Sequence, residues 1–405
     1  MRSLLLSAVS LLGLGYVGAA LAGDTGPIRI GVITDLSGQN SDVNGVGAVE
    51  AVKMAVEDFK GQVGGRPVEV LFADHQNKPD VAALIARKWI EEGVDMLADI
   101  SGSAPALAVN KLATDSNRVA MSTAAVSTEI TGKSCSPNVV QFVMDTYAMA
   151  AAVTVPMSSR FGKEWYFITL NFGFGIDMEA TATKQLESVG GRSVGSVKTP
   201  FNTADFSSYI LAASGTNANV LGLVQLSEDL NRSVRQAKEF GLTSKMKIGT
   251  FNLTVNNVKA MGLETAQGLY AATAFYWDFN DNTRAFSNRF KVRHPRGNYP
   301  SEYQTGDYAA TLHYLKAVQA LGGKTADGAA VVAKMKEMPT DDIAFGKGVV
   351  RADGRGLHPM YLFEVKAPGE SKYDWDYYKL ISTLPAEQGA IPLKDSLCSL
   401  VAGKS

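Results

Sequence analysis

Histidine and cysteine are scarce in this chain, and their scarcity removes whole classes of chemistry. Of 405 residues, four are histidine and two are cysteine. His75, His294, His313 and His358 stand apart from one another, none at a spacing that chelates a metal. The carboxylates are scattered, so no general acid–base pair stands out, and neither cysteine has a histidine nearby to activate it. No enzyme and no metal site is expected. Nucleotide motifs are lacking too. Gly45-Val46-Gly47 opens like a dinucleotide fingerprint, but Glu50 holds the third glycine position, and Gly173-Phe174-Gly175 fails in the same way at Met178. Without that glycine the close approach of helix to sheet is lost. Neither a Walker lysine pattern nor a Gly-x-Ser-x-Gly elbow occurs, so no cofactor is expected. Charge of one sign is also missing: 39 Lys and Arg against 40 Asp and Glu leave a net charge of −1. That balance offers no basic field for nucleic acid.

A long apolar run occurs once, at the start. Residues 1–22 place Arg2 before an apolar core over residues 4–17 and end on Ala20-Leu21-Ala22, the pattern of a cleaved secretory signal peptide. A membrane anchor needs roughly 20 apolar residues without that cleavage signature, and no cysteine follows the run to take a lipid. The expectation is an exported, soluble protein with no segment inserted in a membrane. Export changes the meaning of Cys135 and Cys398, because two cysteines in an oxidising compartment are expected to pair with each other. Closing so long a loop adds roughly 4–5 kcal/mol in the chain-entropy account. It would tie the C-terminal tail to the segment that follows residue 131.

What is present is a regular alternation of strands and helices. Hydrophobic residues at 46% and charged residues at 20% describe a folded globular chain, long enough for two domains. Residues 28–33 and 68–72 read as strands, and residues 47–60 and 80–92 as amphipathic helices. The stretch from Asp95 to Thr131 adds two more units. A strand over 94–98 empties into Ile100-Ser101-Gly102-Ser103, a helix covers 104–113, and a strand over 119–122, closed by Ser122, empties into Thr123-Ala124-Ala125-Val126-Ser127. Ligands of open α/β sheets sit beyond the carboxyl ends of the strands. Short Ser/Thr/Gly loops there bring backbone N–H groups and a helix N-terminus to an anion, although the same residues also serve as plain helix caps. The rhythm restarts after residue 145, with strands over 164–170, 193–199, 220–224 and 247–251 and helices between them. Residues 171–175 read as a Gly-containing loop and 176–189 as the following helix. Two halves of one rhythm predict two lobes, each a parallel sheet covered by helices. Residues 345–350 and 360–365 read as antiparallel edge strands, and the tail from residue 372 is expected to drape over both lobes.

Taken in order, IGVITDLSG, GAVEAVKMAVEDF, DHQNKPD, SGSAPALAV, MSTAAVSTEIT, LSEDLNRSVRQAKEFGL and TGDYAATLHYL resemble the periplasmic solute-binding proteins of ABC transporters, in the branched-chain amino acid (Leu/Ile/Val-binding) group. The resemblance spans essentially the whole chain after residue 22. It implies an α/β fold of two Rossmann-like lobes with parallel sheets, joined by three hinge crossings near 140–147, 268–277 and 359–365, with a ligand cleft between them. One lobe would comprise residues 27–143 and 278–358, the other 144–277 and 359–380, leaving 381–405 as the tail. It implies a periplasmic monomer that closes on a small molecule and hands it to the permease subunits in the membrane. A ligand sensor for a signalling partner is the alternative of another class; neighbouring permease and ATPase genes would decide for transport.

Carried over residue by residue, the resemblance places a ligand carboxylate at Ser101, Gly102 and Ser103. A backbone carbonyl and a hydroxyl in the next loop correspond to Ala124 and Val126; Val126 has no hydroxyl, though Ser127 sits beside it. The family's tyrosine after the strand at 164–170 falls on Phe174, with Phe172 nearby. The acidic partner of a ligand ammonium falls near Phe251 and Asn252, where no carboxylate stands. A buried ammonium without a counter-charge would cost several kcal/mol. With Tyr303 completing the wall, this set fits an aromatic or other hydrophobic carboxylate. A branched-chain amino acid stays as the alternative, with Gln225, Asn252, Asp42 or Glu302 reaching the ammonium.

Overall fold

The computed structural model describes residues 26–401, so the expected signal peptide lies outside the described residues. The chain forms two sheets of Rossmann type with helices on both faces. The first sheet runs in the order Gln62–Val63, Arg66–Asp74, Ile28–Thr34, Met96–Asp99, Val119–Ser122, Val139–Gln141. It is parallel apart from the short Gln62–Val63 strand, which pairs back on Arg66–Asp74. The central strands of this sheet are buried on both faces, and they read as unbroken apolar runs for that reason. Helix Glu302–Ala320 returns to this lobe and packs along helix Gly45–Asp58.

The second sheet runs Tyr378–Leu384, Met360–Val365, Leu269–Thr273, Lys247–Thr250, Val220–Val224, Glu164–Leu170, Arg192–Thr199. Its five strands from Leu269–Thr273 onward are parallel; Met360–Val365 runs against them, and Tyr378–Leu384 pairs antiparallel with Met360–Val365. Two expectations change here. Met360–Val365 is antiparallel but is not an edge: Tyr378–Leu384 pairs outside it, so the tail begins as a strand. Only Tyr378 of this strand is buried, and Leu380 is exposed, so its burial follows no alternation that would mark it. Strands Thr340–Asp342, Gly346–Val350 and Gly356–Leu357 form a separate antiparallel sheet.

The second change matters for the site. Helix Gly173–Ser188 begins three residues earlier than expected and takes in most of the segment read as a loop. Gly175 allows this, because a Cβ there would lie 2.0 Å from the Leu170 carbonyl oxygen. Strand and helix approach so closely that only glycine fits.

The chain passes between the sheets in residues 142–145, 274–280 and 358–359. Near the first and third of these, Arg355 Nε meets Asp145 Oδ2 at 2.9 Å, both side chains buried. Cys135 and Cys398 are joined, as expected, across a sequence separation of 263. Among the described residues no helix is long and apolar enough to cross a membrane.

Candidate functional site

The strand Met96–Asp99 ends in an unusual turn. Asp99, Ile100 and Gly102 take positive φ angles of 63°, 53° and 86°, which folds the loop back over the strand end. Glycine tolerates this; aspartate and isoleucine do so at a cost. Hydrogen bonds hold the turn to the neighbouring loop. Thr123 and Ala124 N–H donate to the Asp99 carbonyl at 3.2 and 3.3 Å, and Gly102 N–H donates to the Ala124 carbonyl at 3.2 Å. Ser127 N–H donates to Ser103 Oγ at 3.3 Å. The result presents the N-terminus of helix Ser103–Asp115, which no side chain caps.

From the second lobe, helix Gly173–Ser188 presents another N-terminus without a side-chain cap. Both helix starts open into one cleft of about 1200 Å³ between the lobes. Each carries the partial positive charge of its unpaired N–H groups. Gly102, Ser103, Ala124, Val126 and Ser127 line the cleft from one side, and Phe172, Phe174 and Asn252 from the other. Tyr303 closes the span, its hydroxyl donating to Asn252 Oδ1 at 2.9 Å across the lobes. Burial pushes the Tyr303 hydroxyl well above its ordinary range, so it stays a neutral donor.

Four residues expected at the site do not line the cleft. Ser101 is fully buried, its Oγ 2.9 Å from His75 Nε2. Ser122 Oγ donates to Asn110 Oδ1 at 3.2 Å. Gln225 Nε2 donates to the Ile168 carbonyl and to Thr199 Oγ1. Phe251 packs against Trp165 and Phe167 in the core. Each sits at or just beyond a strand end, where the side-chain alternation turns it back into the sheet. The alternative ammonium partners fare similarly. Asp42 is paired with Arg296, and Glu302 is 4% exposed, its carboxyl pushed up to about 7 by burial.

The cleft wall also holds residues that the sequence did not mark, among them Gln39, Asn40, Asn77, Tyr147, Leu226, Lys184 and the tail residues Ile391, Pro392 and Asp395. Asp177 is the most consequential. It stands one helical turn after Phe174 and shares its face. Starting the helix at residue 176 hid that spacing. Burial raises the Asp177 carboxyl above its usual range; the Thr146 hydroxyl, donating to Oδ2 at 2.6 Å, opposes the shift, and the charges of Asp145 and Glu129 add to it. Among the described residues no group of three or more His, Cys, Asp or Glu could hold a metal ion.

Residues 27–371 match the family model described as periplasmic binding protein. The chain is 39% identical to a periplasmic binding protein from Burkholderia mallei, over 92% of this chain and 99% of that one, with a TM-score of 0.87. It is 37% identical to a branched chain amino acid ABC transporter periplasmic ligand-binding protein from Burkholderia xenovorans, over 92% and 100% of the two chains, at a TM-score of 0.86. A solute binding protein of an ABC transporter from Rhodopseudomonas palustris, in complex with 3,4-dihydroxy benzoic acid, has the same fold at 21% identity, covering 89% and 98%, with a TM-score of 0.79.

Proposed function

The chain belongs to the periplasmic binding protein family, as a substrate-binding protein of an ABC transporter and not an enzyme, and from that premise we propose that its solute is an aromatic or other hydrophobic carboxylate. One observation carries this reading: two uncapped helix N-termini from opposite lobes face a cleft walled by Val126, Phe172, Phe174, Leu226 and Tyr303. The helix starts and the Gly102–Ser103 backbone would hold the carboxylate, and the rings would cover an apolar body. A bound 3,4-dihydroxybenzoic acid in the Rhodopseudomonas neighbour accords with a ligand of this size in this fold. Rotation about the three crossings would bury the ligand, and the closed form is favoured only by the ligand's preference for it. The family implies a periplasmic location for the chain and permease partners for that closed form.

Asp177 supports a second reading. It is a carboxylate lining the cleft, with Lys184 the cation whose charge bears on it, and it could meet the ammonium of a branched-chain amino acid. A calorimetric titration of benzoate, 4-hydroxybenzoate, leucine and valine separates the two. Tight binding of the benzoates with none of leucine supports the first reading. Leucine binding that Asp177→Asn abolishes, with benzoates inert, replaces it with the second.

A further inference from the structure

Beneath the two cleft loops lie carboxyls that ligand contact does not use. Asp99 and Asp307 are both fully buried. Among the described residues, both oxygens of Asp99 and Oδ2 of Asp307 have no partner at full hydrogen-bond geometry. Asp307 Oδ1 accepts from the Thr123 hydroxyl, in the second cleft loop. The Thr34 hydroxyl lies beside Asp99 and opposes the upward shift of its carboxyl. Among the described residues no lysine or arginine pairs with either carboxyl. The charged groups around them are few. Asp35, at the end of strand Ile28–Thr34, bears on Asp99, and Asp99 bears on Asp307 from across the lobe. Asp35 spends its oxygens on Gly38 and Asn40 N–H. His75, after strand Arg66–Asp74, feels Asp35 and Asp74 but is held towards its neutral form by burial.

Two buried carboxyls whose charges bear on each other, with no cation beside them among the described residues, resist being ionised together near neutrality. Burial pushes Asp99 up to about 7, and burial together with the Asp99 charge pushes Asp307 well above the carboxylate range. The pair is therefore fully protonated below neutrality, gains its first negative charge on Asp99 as the solution passes neutrality, and keeps the remaining proton until the solution turns alkaline. That first charge would arise three residues before Gly102, on the residue whose carbonyl ties both loops together. Backbone strain at Asp99 and Ile100 marks the same spot as one the fold holds against its local preference.

We propose that Asp99 and Asp307 are positioning residues that share a proton under the anion site, so that capturing a carboxylate draws in a proton and strengthens as the medium acidifies. This rests on the ligand being an anion, as read above. The linkage is reciprocal: an anion that favours the protonated pair raises the pair's proton affinity by the same factor. With one linked proton, affinity falls by up to roughly tenfold per pH unit above neutrality.

Two measurements on the full chain test this separately from the ligand reading. The first needs no ligand: infrared difference spectra across about pH 5 to 9 should show the C=O stretch of a buried carboxylic acid titrating near neutrality, lost in Asp99→Asn. Absence of that band in the wild type overturns the proposal, whatever the ligand. The second is titration calorimetry with benzoate in buffers of different ionisation enthalpy. Proton uptake in the wild type, with a pH-independent affinity in Asp99→Asn and in Asp307→Asn, supports the proposal. Binding without proton uptake overturns it. A titrating band in a protein that does not bind benzoate faults the ligand reading instead, and leucine then replaces benzoate as the probe, read by the same two outcomes.

Discussion

Replacing Arg355 with methionine should destabilise the fold far more than the loss of a typical ion pair. The Arg355 and Asp145 side chains are 5% and 4% exposed, with Nε and Oδ2 at 2.9 Å. Arg355 Nη1 also donates to the carbonyls of Val143 and Gly356. Asp145 Oδ1 caps the next helix by accepting Ala148 N–H at 2.8 Å. Methionine fills similar space but leaves a buried carboxylate with one partner and two carbonyls with fewer. Breaking one side of a buried pair costs about 3–5 kcal/mol, whereas an exposed pair such as Lys111–Asp115 is worth about 0–1 kcal/mol. Urea unfolding followed by circular dichroism would measure the loss. Adding Asp145→Asn to Arg355→Met removes the stranded charge, so the double variant should recover part of the loss, with a coupling of about 1–3 kcal/mol. An Arg355→Met variant within about 1 kcal/mol of the wild type, or a double variant that is simply additive, would refute the reasoning.

Other outcomes follow from the same structure. Cys398→Ser opens a link across a separation of 263 residues and should lower stability by up to about 5 kcal/mol; a denaturation midpoint that reduction leaves unmoved argues against it. Phe174→Ala should weaken a benzoate about tenfold, from an aromatic contact of about 1–1.5 kcal/mol, yet leave the melting temperature nearly unchanged because the ring is only partly buried. Asp99 gives a pH dependence of stability. Its folded carboxyl sits at about 7, above the ordinary 3.8, so its contribution is complete below the ordinary value and is lost as pH rises through about 7. Melting curves of the wild type should therefore fall between mildly acidic and neutral pH more steeply than those of Asp99→Asn; parallel curves would contradict this.

Much of the lobed architecture was legible because its signals are local. Apolar strands buried on both faces, amphipathic helices and Gly-rich turns repeat with one period through both halves, and the strand over Val119–Ser122 lies where its pattern places it. The loops that follow the first-lobe strands were equally visible, and Gly102, Ser103, Ala124, Val126 and Ser127 do reach the cleft. Ser101, Ser122, Gln225 and Phe251 looked no different in sequence. Their orientation depends on which face of a strand end turns inward, and a one-residue change reverses it. Asp177 was hidden by a helix start that depends on how closely Gly175 approaches Leu170, a distance no linear pattern encodes.

By itself the sequence determined the class of fold and the pairing of its two cysteines. These follow from composition, periodicity and count, which act through neighbouring residues or leave no alternative partner. Only the tertiary structure decided which polar residues face the cleft, that two helix N-termini open into it from opposite lobes, and that the charge of Asp99 bears on Asp307 from far along the chain. Burial and electrostatic coupling are properties of groups brought together in space, and the chain order of those groups carries no record of them.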